Sequence, residues 1–458
     1  MGEYVLSKCI LQKSIFFKMG VEINQSFECI WHEIRPGVFQ RSMTPLECFF
    51  TPDLGWSVWS SIKLSSVPST CDSNEVLINQ LRRAWIRVLY EQPQLASTFD
   101  FHERTCTYVT ATEESLTTCL EETFIIEEDS QNSIATRNKP ILCFEESTRR
   151  LSFRAPHCYI DGIGVILLLG DIVKFLSIPQ RTTFGDEVKN LPPVFDIAAC
   201  LPKPHAADLE RGARLTQKFL QNQPSIGLPF QDRPSAPHSV SAICLSIEES
   251  KNIVSACKAR GLTVTHAVHA ALIQATAELD SEAAAKYYTS IHIYNWRSHV
   301  QPKYQRQSTL HCSGFPMVVE NPSTRDFESL SEEMKILYVG TNQDKNIAKA
   351  HSPWWSSLVT ALNAAGNPPA ASTPMLSSLG VIEKLLPEEV DGVKIEDFKF
   401  GIDIKGPVVT VYLWNWEGRI HFSAAWDRGS FPEGEIDEFL GRIVRKLATP
   451  LGVTISLK

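Results

Sequence analysis

A histidine can take a proton from a hydroxyl or an amine near neutral pH if its ring is held in one tautomer and one orientation. The segment His157-Cys158-Tyr159-Ile160-Asp161-Gly162 has the residues for that work. His157 would be the base. Asp161, four residues on, can anchor the turn that holds it, and Gly162 lets the backbone bend tightly into the next element. If that element is a helix, its first amides point back at the turn and favour negative charge there. Taken alone, a spacing of this kind more often marks an ordinary hydrogen-bonded histidine, since short motifs recur by chance. Cys158 sits in the same segment. A nucleophilic thiol needs a lowered pKa, and a lone cysteine at a strand end is more commonly a small buried apolar residue.

The neighbouring pattern supports the chemical reading. Pro140–Phe144 and Leu151–Arg154 read as short strands, the second alternating apolar and polar as a half-buried strand does. Ile163–Phe175 is an apolar run long enough for a buried helix, with Asp171 and Lys174 in its second half. His157–Gly162 therefore falls in a strand-to-helix turn. Upstream, Leu77, Leu81, Ala84, Trp85, Val88 and Leu89 recur at helical spacing over Glu75–Glu91, and Pro93 stops that helix.

The texture changes at residue 179. Nine of the 27 prolines fall between Pro179 and Pro237, where they break both helices and central strands. Three segments are expected: a first unit over 1–178 carrying the histidine, a proline-rich connection over 179–238 with one helix at Ala206–Leu220, and a second unit over 239–458. In the second unit Ser239–Ser246 reads as a strand. Glu248–Arg260 reads as a helix stopped by Gly261, and Val264–Glu278 as a longer helix capped by Thr263. Ser290–Tyr294 is a strand and Ser331–Tyr338 a helix. Val408–Trp414 and Arg419–Ala424 are strands around a hairpin turn at Asn415–Gly418, and Glu435–Leu447 closes the chain as an amphipathic helix.

Composition removes several classes. A chain of 458 residues, 43% apolar and 21% charged, is globular and large enough for two cores. A net charge of -8 without a basic run gives nucleic acid nothing to bind. The 12 cysteines include no C-x-x-C pair, which speaks for free thiols in a reducing compartment. His266 and His269 share a helix face, but no third ligand is evident, so no metal is expected. No phosphate loop and no G-x-S-x-G elbow occurs. No apolar run reaches the ~18–20 residues of a membrane span. Met1–Met19 lacks the uninterrupted apolar stretch of a secretory leader, so a cytoplasmic protein is expected, with Met19 an alternative start.

Further segments, in order, carry a resemblance. Met43-Thr44-Pro45-Leu46-Glu47, Gln92–Phe99, His157–Gly162, Tyr294-Asn295-Trp296-Arg297 with Pro302, Ser377-Ser378-Leu379-Gly380 and Trp416–Asp427 together resemble the HxxxD-type acyltransferase superfamily. That superfamily takes in condensation domains, BAHD enzymes and chloramphenicol-acetyltransferase-like enzymes. Within it the chain is most similar to fungal trichothecene O-acetyltransferases and related secondary-metabolite acyltransferases. Pro156 stands where peptide-forming condensation domains usually carry a second histidine. Asp397-Phe398-Lys399-Phe400-Gly401 only partly matches the plant-type D-F-G-W-G box, and is read as a loop-to-strand segment.

The resemblance implies an α/β fold of two chloramphenicol-acetyltransferase-like domains with a tunnel at their interface. It implies a monomeric acyltransferase, with acyl-CoA (acetyl-CoA first) as co-substrate, no bound cofactor, and a small-molecule alcohol as acceptor. His157 would be the general base, and Asp161 and Gly162 would support it. Arg297 could cross between the halves to pair with Asp161, since a guanidinium suits a partly buried carboxylate; a surface arginine is the other reading. Ser378, Asn295 and Trp296 are candidates for substrate contact, and Gly162 N–H or the Ser378 hydroxyl for the oxyanion. His292, Trp296 and His299 would line a channel or pack in the core. Trp354-Trp355 would meet a bulky acceptor or fill an interdomain gap. Two alternatives share the fold: an enzyme using a carrier-bound thioester to form an ester, amide or ring, and a non-catalytic binding homologue.

Overall fold

The computed structural model describes residues 29–51, 55–67, 73–127, 138–177, 181–223, 225–280, 286–365, 372–390 and 392–456. The first 28 residues, and with them the alternative start, lie outside the described part. The first half contains β1 (His32–Arg35), β2 (Val38–Ser42), α1 (Pro45–Phe49), β3 (Ser57–Ser66), α2 (Asn74–Glu91), β4 (Thr98–Asp100), β5 (Thr105–Val109), α3 (Glu113–Thr123), β6 (Phe124–Glu127), β7 (Ile141–Glu145), β8 (Arg150–Pro156) and α4 (Gly162–Ser177). The short α5 (Phe195–Ala198) and α6 (Ala206–Gln221) lie in the connection. Then come β9 (His238–Cys244), α7 (Ile247–Ala259), α8 (Val264–Leu279), β10 (Tyr287–Asn295), β11 (Cys312–Glu320), α9 (Phe327–Gln343), α10 (His351–Ala365), β12 (Met375–Val381), β13 (Glu389–Val390), β14 (Val393–Asp403), β15 (Thr410–Trp416), β16 (Arg419–Asp427) and α11 (Glu435–Leu451).

The largest sheet runs β13-β14-β3-β8-β7-β6. Its inner face is covered by α2 and α4. Helix α4 is apolar almost all round until its last turns (Val165, Ile166, Leu168, Leu169, Ile172 and Val173 are each 0% exposed), as a helix enclosed along most of its length must be. A second sheet, β12-β15-β16-β9, carries α8 and α11 over a separate core that includes Leu272, Phe422, Phe439 and Ile443.

The two halves are interleaved. Strand β14, from the second half, pairs antiparallel with β3 of the first, and Phe400 lies opposite Ser60. The partial D-F-G-W-G match is thus a strand built into the first half's sheet: Asp397 pairs with Arg150 at 2.6 Å, and Phe398 and Phe400 are buried. The connection is ordered through packing. Helix α6 lies against α10 so closely that a Cβ at Gly212 would stand 2.5 Å from the Pro353 carbonyl carbon. Strands β3 and β11 and helix α10 were not anticipated from local pattern. The Trp354-Trp355 pair belongs to α10. Trp354 Nε1 donates to the Gly314 carbonyl, and Trp355 packs on Phe49 with ring centroids 4.9 Å apart, so the pair fills the gap between the halves.

Candidate active site

Strand β8 ends at Pro156, and the next residue is fastened by its backbone: His157 N–H donates to the Trp56 carbonyl at 3.0 Å. The imidazole is 6% exposed. Phe50 lies flat on it, centroids 4.0 Å apart and planes 4° from parallel, and Trp56 meets it edge-on at 6.3 Å. Two sides of the ring are therefore set by aromatic packing. Nδ1 is enclosed and has no hydrogen-bond partner among the described residues. Burial pushes the ring pKa down to about 4, against smaller opposing effects from its own backbone and the Asp161 charge. At neutral pH the ring is uncharged, which is the form that can accept a proton.

Asp161 does three things at once. Its Oδ1 accepts Gly164 N–H at 2.7 Å, capping α4. Its Oδ2 accepts from the Arg297 guanidinium at 2.9 Å and from His311 N–H at 2.8 Å. Burial alone would raise this carboxyl, but the Arg297 charge and these hydrogen bonds hold it below the ordinary carboxylate range. Arg297, 6% exposed, also donates through its Nη atoms to the carbonyls of Gln307 (3.2 Å) and Thr309 (3.1 Å) and to Asn295 Oδ1 (3.4 Å). The pair thus ties the start of α4 in the first half to the segment between β10 and β11 in the second. Asp161 is fully used in this network, leaving His157 as the one group of the motif free to exchange a proton.

The turn also borders open space. A cavity of about 1170 Å³ reaches Pro156, Cys158, Phe50 and Trp56, and extends past Phe99 and Phe101 towards α3. Its walls are partly apolar, and its size suits a small-molecule ligand. His157 itself is not in the cavity wall; its flanking residues are.

Known proteins share this sequence pattern and this shape. Residues 143–348, which include the whole turn, match the family model described as 15-O-acetyltransferase Tri3. The O-acetyltransferase pigM of Monascus ruber is 27% identical over 70% of this chain, and the chain spans 66% of that relative, just under two thirds. The acetyltransferase pigO of the same organism is 25% identical over 92% of this chain and 98% of its own length. The solved structure of the trichothecene 15-O-acetyltransferase TRI3 of Fusarium sporotrichioides matches with a TM-score of 0.79 at 17% identity, covering 91% of this chain and 97% of that one. The matching family model and these relatives all carry the description of acetyltransferases. The chain's likeness to that solved structure shows a two-lobed α/β fold.

The remaining candidate residues divide clearly by position. Asn295 is drawn into the site as a prop, its Oδ1 accepting Arg297 N–H at 3.2 Å. Trp296, 2% exposed, packs among Phe195, Phe315 and His351, so its contacts are those of a core residue and not those of a channel wall. Ser378 is exposed and shares a hydrogen bond with Thr265 at 2.9 Å; its neighbour Leu379 is the residue that reaches the start of α4. Burial raises the Cys158 thiol well above its ordinary range, so it stays protonated and unreactive. His269 is held between the hydroxyls of Tyr338 and Tyr288 at 3.0 Å each, and His266 closes the capping box of α8 with Thr263. No group of metal-ligating side chains occurs among the described residues. Asp427 accepts three backbone N–H groups, from Ala236, Gly406 and Gly429, and so pins loops. Phe50, Trp56, Phe400 and His311 complete the site and carried no local signal.

Gly162 is required by close approach. A Cβ there would stand 2.8 Å from Phe400 Cζ, and Phe400 is itself packed on Tyr412. Gly162→Ala is expected to destabilise the fold by about 1–3 kcal/mol through overpacking, despite its helix propensity gain. Thermal unfolding of Gly162→Ala beside the double variant with Phe400→Leu checks this; the second change should restore part of the loss.

Proposed function

We propose that this chain is an acyltransferase of the HxxxD type that moves an acetyl group from acetyl-CoA to a hydroxyl of a small secondary metabolite, with His157 as general base. The observation that carries the reading is the state of the ring: enclosed, clamped by Phe50, and held neutral beside a carboxylate already committed to Arg297. His157 Nε2 takes the hydroxyl proton as the hydroxyl oxygen bonds to the thioester carbonyl carbon. The carbon–sulfur bond then breaks, the imidazolium returns the proton to the thiolate, and ester and free CoA leave. No acyl-enzyme is needed. The tetrahedral intermediate's oxyanion requires donors; Gly162 N–H at the start of α4 remains a candidate, whereas the Ser378 hydroxyl is exposed and bonded to Thr265. The cavity beside Phe50 and Trp56 suits a largely apolar acceptor. The structural relative acts on a trichothecene, which makes trichothecene-type alcohols the first acceptors to try.

Incubating the protein with acetyl-CoA and such alcohols should yield product heavier by one acetyl group. Transfer only from a carrier-loaded thioester would replace acetyl-CoA as donor, and tight ligand binding without transfer from any thioester would favour a binding protein.

The pH dependence has its origin in burial. His157 loses its proton above about 4, so kcat/KM should stay level from about pH 8 down to about pH 5.5 instead of falling through the ordinary histidine range near 6.5. Stability has the opposite limit. His157 and His311 titrate at about 4, and His269 and His292 at about 3, in the folded chain. The unfolded chain binds these protons first, so stability is full above about pH 6.5 and is lost as pH falls towards 3–4. Brief pH jumps with activity read at once separate the two effects; a rate falling with a midpoint near 6.5 would contradict the assigned state of His157.

A further inference from the structure

A second concavity lies apart from the His157 turn. It has a volume of about 680 Å³ and is bounded by α2, the end of α4, the segment around Lys189 and the 303–307 segment of the second half. Six of its residues are cationic (Arg83, Arg87, Lys174, Lys189, Lys303 and Arg306) and two are acidic, Glu91 and Asp171. The chain as a whole carries a net charge of -8, so this concentration runs against the average.

The pairing leaves a surplus. Arg87 is paired with Glu91, Arg306 with Asp171, and Lys189 with Asp186. Arg83 and Lys303 form no ion pair among the described residues, Lys174 faces only the Asp171 charge that Arg306 already pairs, and all three are exposed at the rim. Like charges gathered on the lining of one concavity repel one another as far as salt does not screen them. An anion seated between them would remove that cost. Rings are present as well: Lys303 stands over Tyr304 at 4.6 Å, and Arg87 stands between the rings of Tyr90 and Phe175.

The groove is mechanically joined to the site. Its wall residue Gln92 accepts Ser308 N–H at 3.2 Å, and Ser308 Oγ donates to the Gly164 carbonyl at 3.2 Å. Its wall residue Gln307 supplies a carbonyl to Arg297. Both halves of the fold line it, so a ligand here would bridge them.

We propose that this groove is a binding site for a phosphate-bearing ligand of nucleotide size, with Arg83, Lys174 and Lys303 meeting the phosphates and a ring such as Tyr304 meeting the base. Two sources have this chemistry: the nucleotide end of a CoA thioester, which rests on the function proposed above, and a free nucleotide acting independently. Titration calorimetry of the full chain with adenosine 3′,5′-bisphosphate, CoA and adenosine tests it without relying on turnover. Expected are binding of the bisphosphate that weakens with added salt, little binding of adenosine, and at least a tenfold loss in the double variant Arg83→Ala/Lys303→Ala. Loss of CoA binding in the same variant, with competition between CoA and the bisphosphate, assigns the groove to the donor. Retained CoA binding assigns it to a separate nucleotide. Bisphosphate binding that is absent, or equal in parent and variant, overturns the site. Acetyl transfer from a short thioester lacking the nucleotide should survive in the variant, so failure of the groove and failure of His157 read differently.

Discussion

Replacing His157 with alanine is expected to lower kcat/KM for acyl transfer about 10³-fold, inside the ~10²–10⁴ range that a positioned base contributes. That corresponds to about 4 kcal/mol of transition-state stabilisation. The loss should be chemical. The backbone bond from His157 N–H to the Trp56 carbonyl does not use the side chain, and Asp161 keeps its three donors without it. What the fold loses is the stack on Phe50. Far-ultraviolet dichroism and a thermal melt should therefore resemble the parent, with a modest drop in midpoint. His157→Asn, which keeps a polar planar group but no basic nitrogen, should be equally inactive. Rates within a few-fold of the parent would remove His157 from the mechanism.

Arg297→Ala is expected to cost about 3–5 kcal/mol of stability, the usual penalty for stripping one partner from a buried ion pair. Asp161 is 2% exposed, and the variant would leave its charge without a counterion while the Gln307 and Thr309 carbonyls lose a donor. Lysine cannot substitute, because one ammonium on a flexible stem does not reach the four separated acceptors that the guanidinium serves. Adding Asp161→Asn should recover part of the loss: the amide oxygen can still cap Gly164, and no charge remains to be buried. Urea unfolding of the two single variants and the double one measures the coupling. An Arg297→Ala protein that unfolds like the parent would mean that the pair does not hold the halves together.

What could be read ahead of the structure was local. The helix over Glu75–Glu91 and the turn between β8 and α4 come from periodicity, proline and glycine, and they emerged almost as written. The hairpin at Glu417-Gly418 did too, both residues at positive φ. Order among weak family-like segments supplied the fold class. The rest depends on pairings distant in sequence. Strand β14 lies between β13 and β3, more than 300 residues from its β3 partner, and no spacing rule reports that. Phe50 and Trp56 became the walls of the histidine only once β3 and β8 were paired. Trp296 and Ser378 were chosen for their neighbours in sequence; in space one belongs to an aromatic core and the other to the surface of β12. Arg297 is the instructive case, because its two readings were equal on sequence and burial decided between them.

The central claim is that His157 moves a proton while the acyl group passes directly from donor to hydroxyl. The most direct measurement is a rapid-quench single turnover with acetyl-labelled acetyl-CoA, an accepting alcohol and excess protein. The account predicts label appearing in the ester at the rate it leaves the thioester, none on the protein at any time, and no ester in the same window with His157→Ala. Label passing first through Cys158 or His157, or ester formed at the parent rate by His157→Ala, would contradict it.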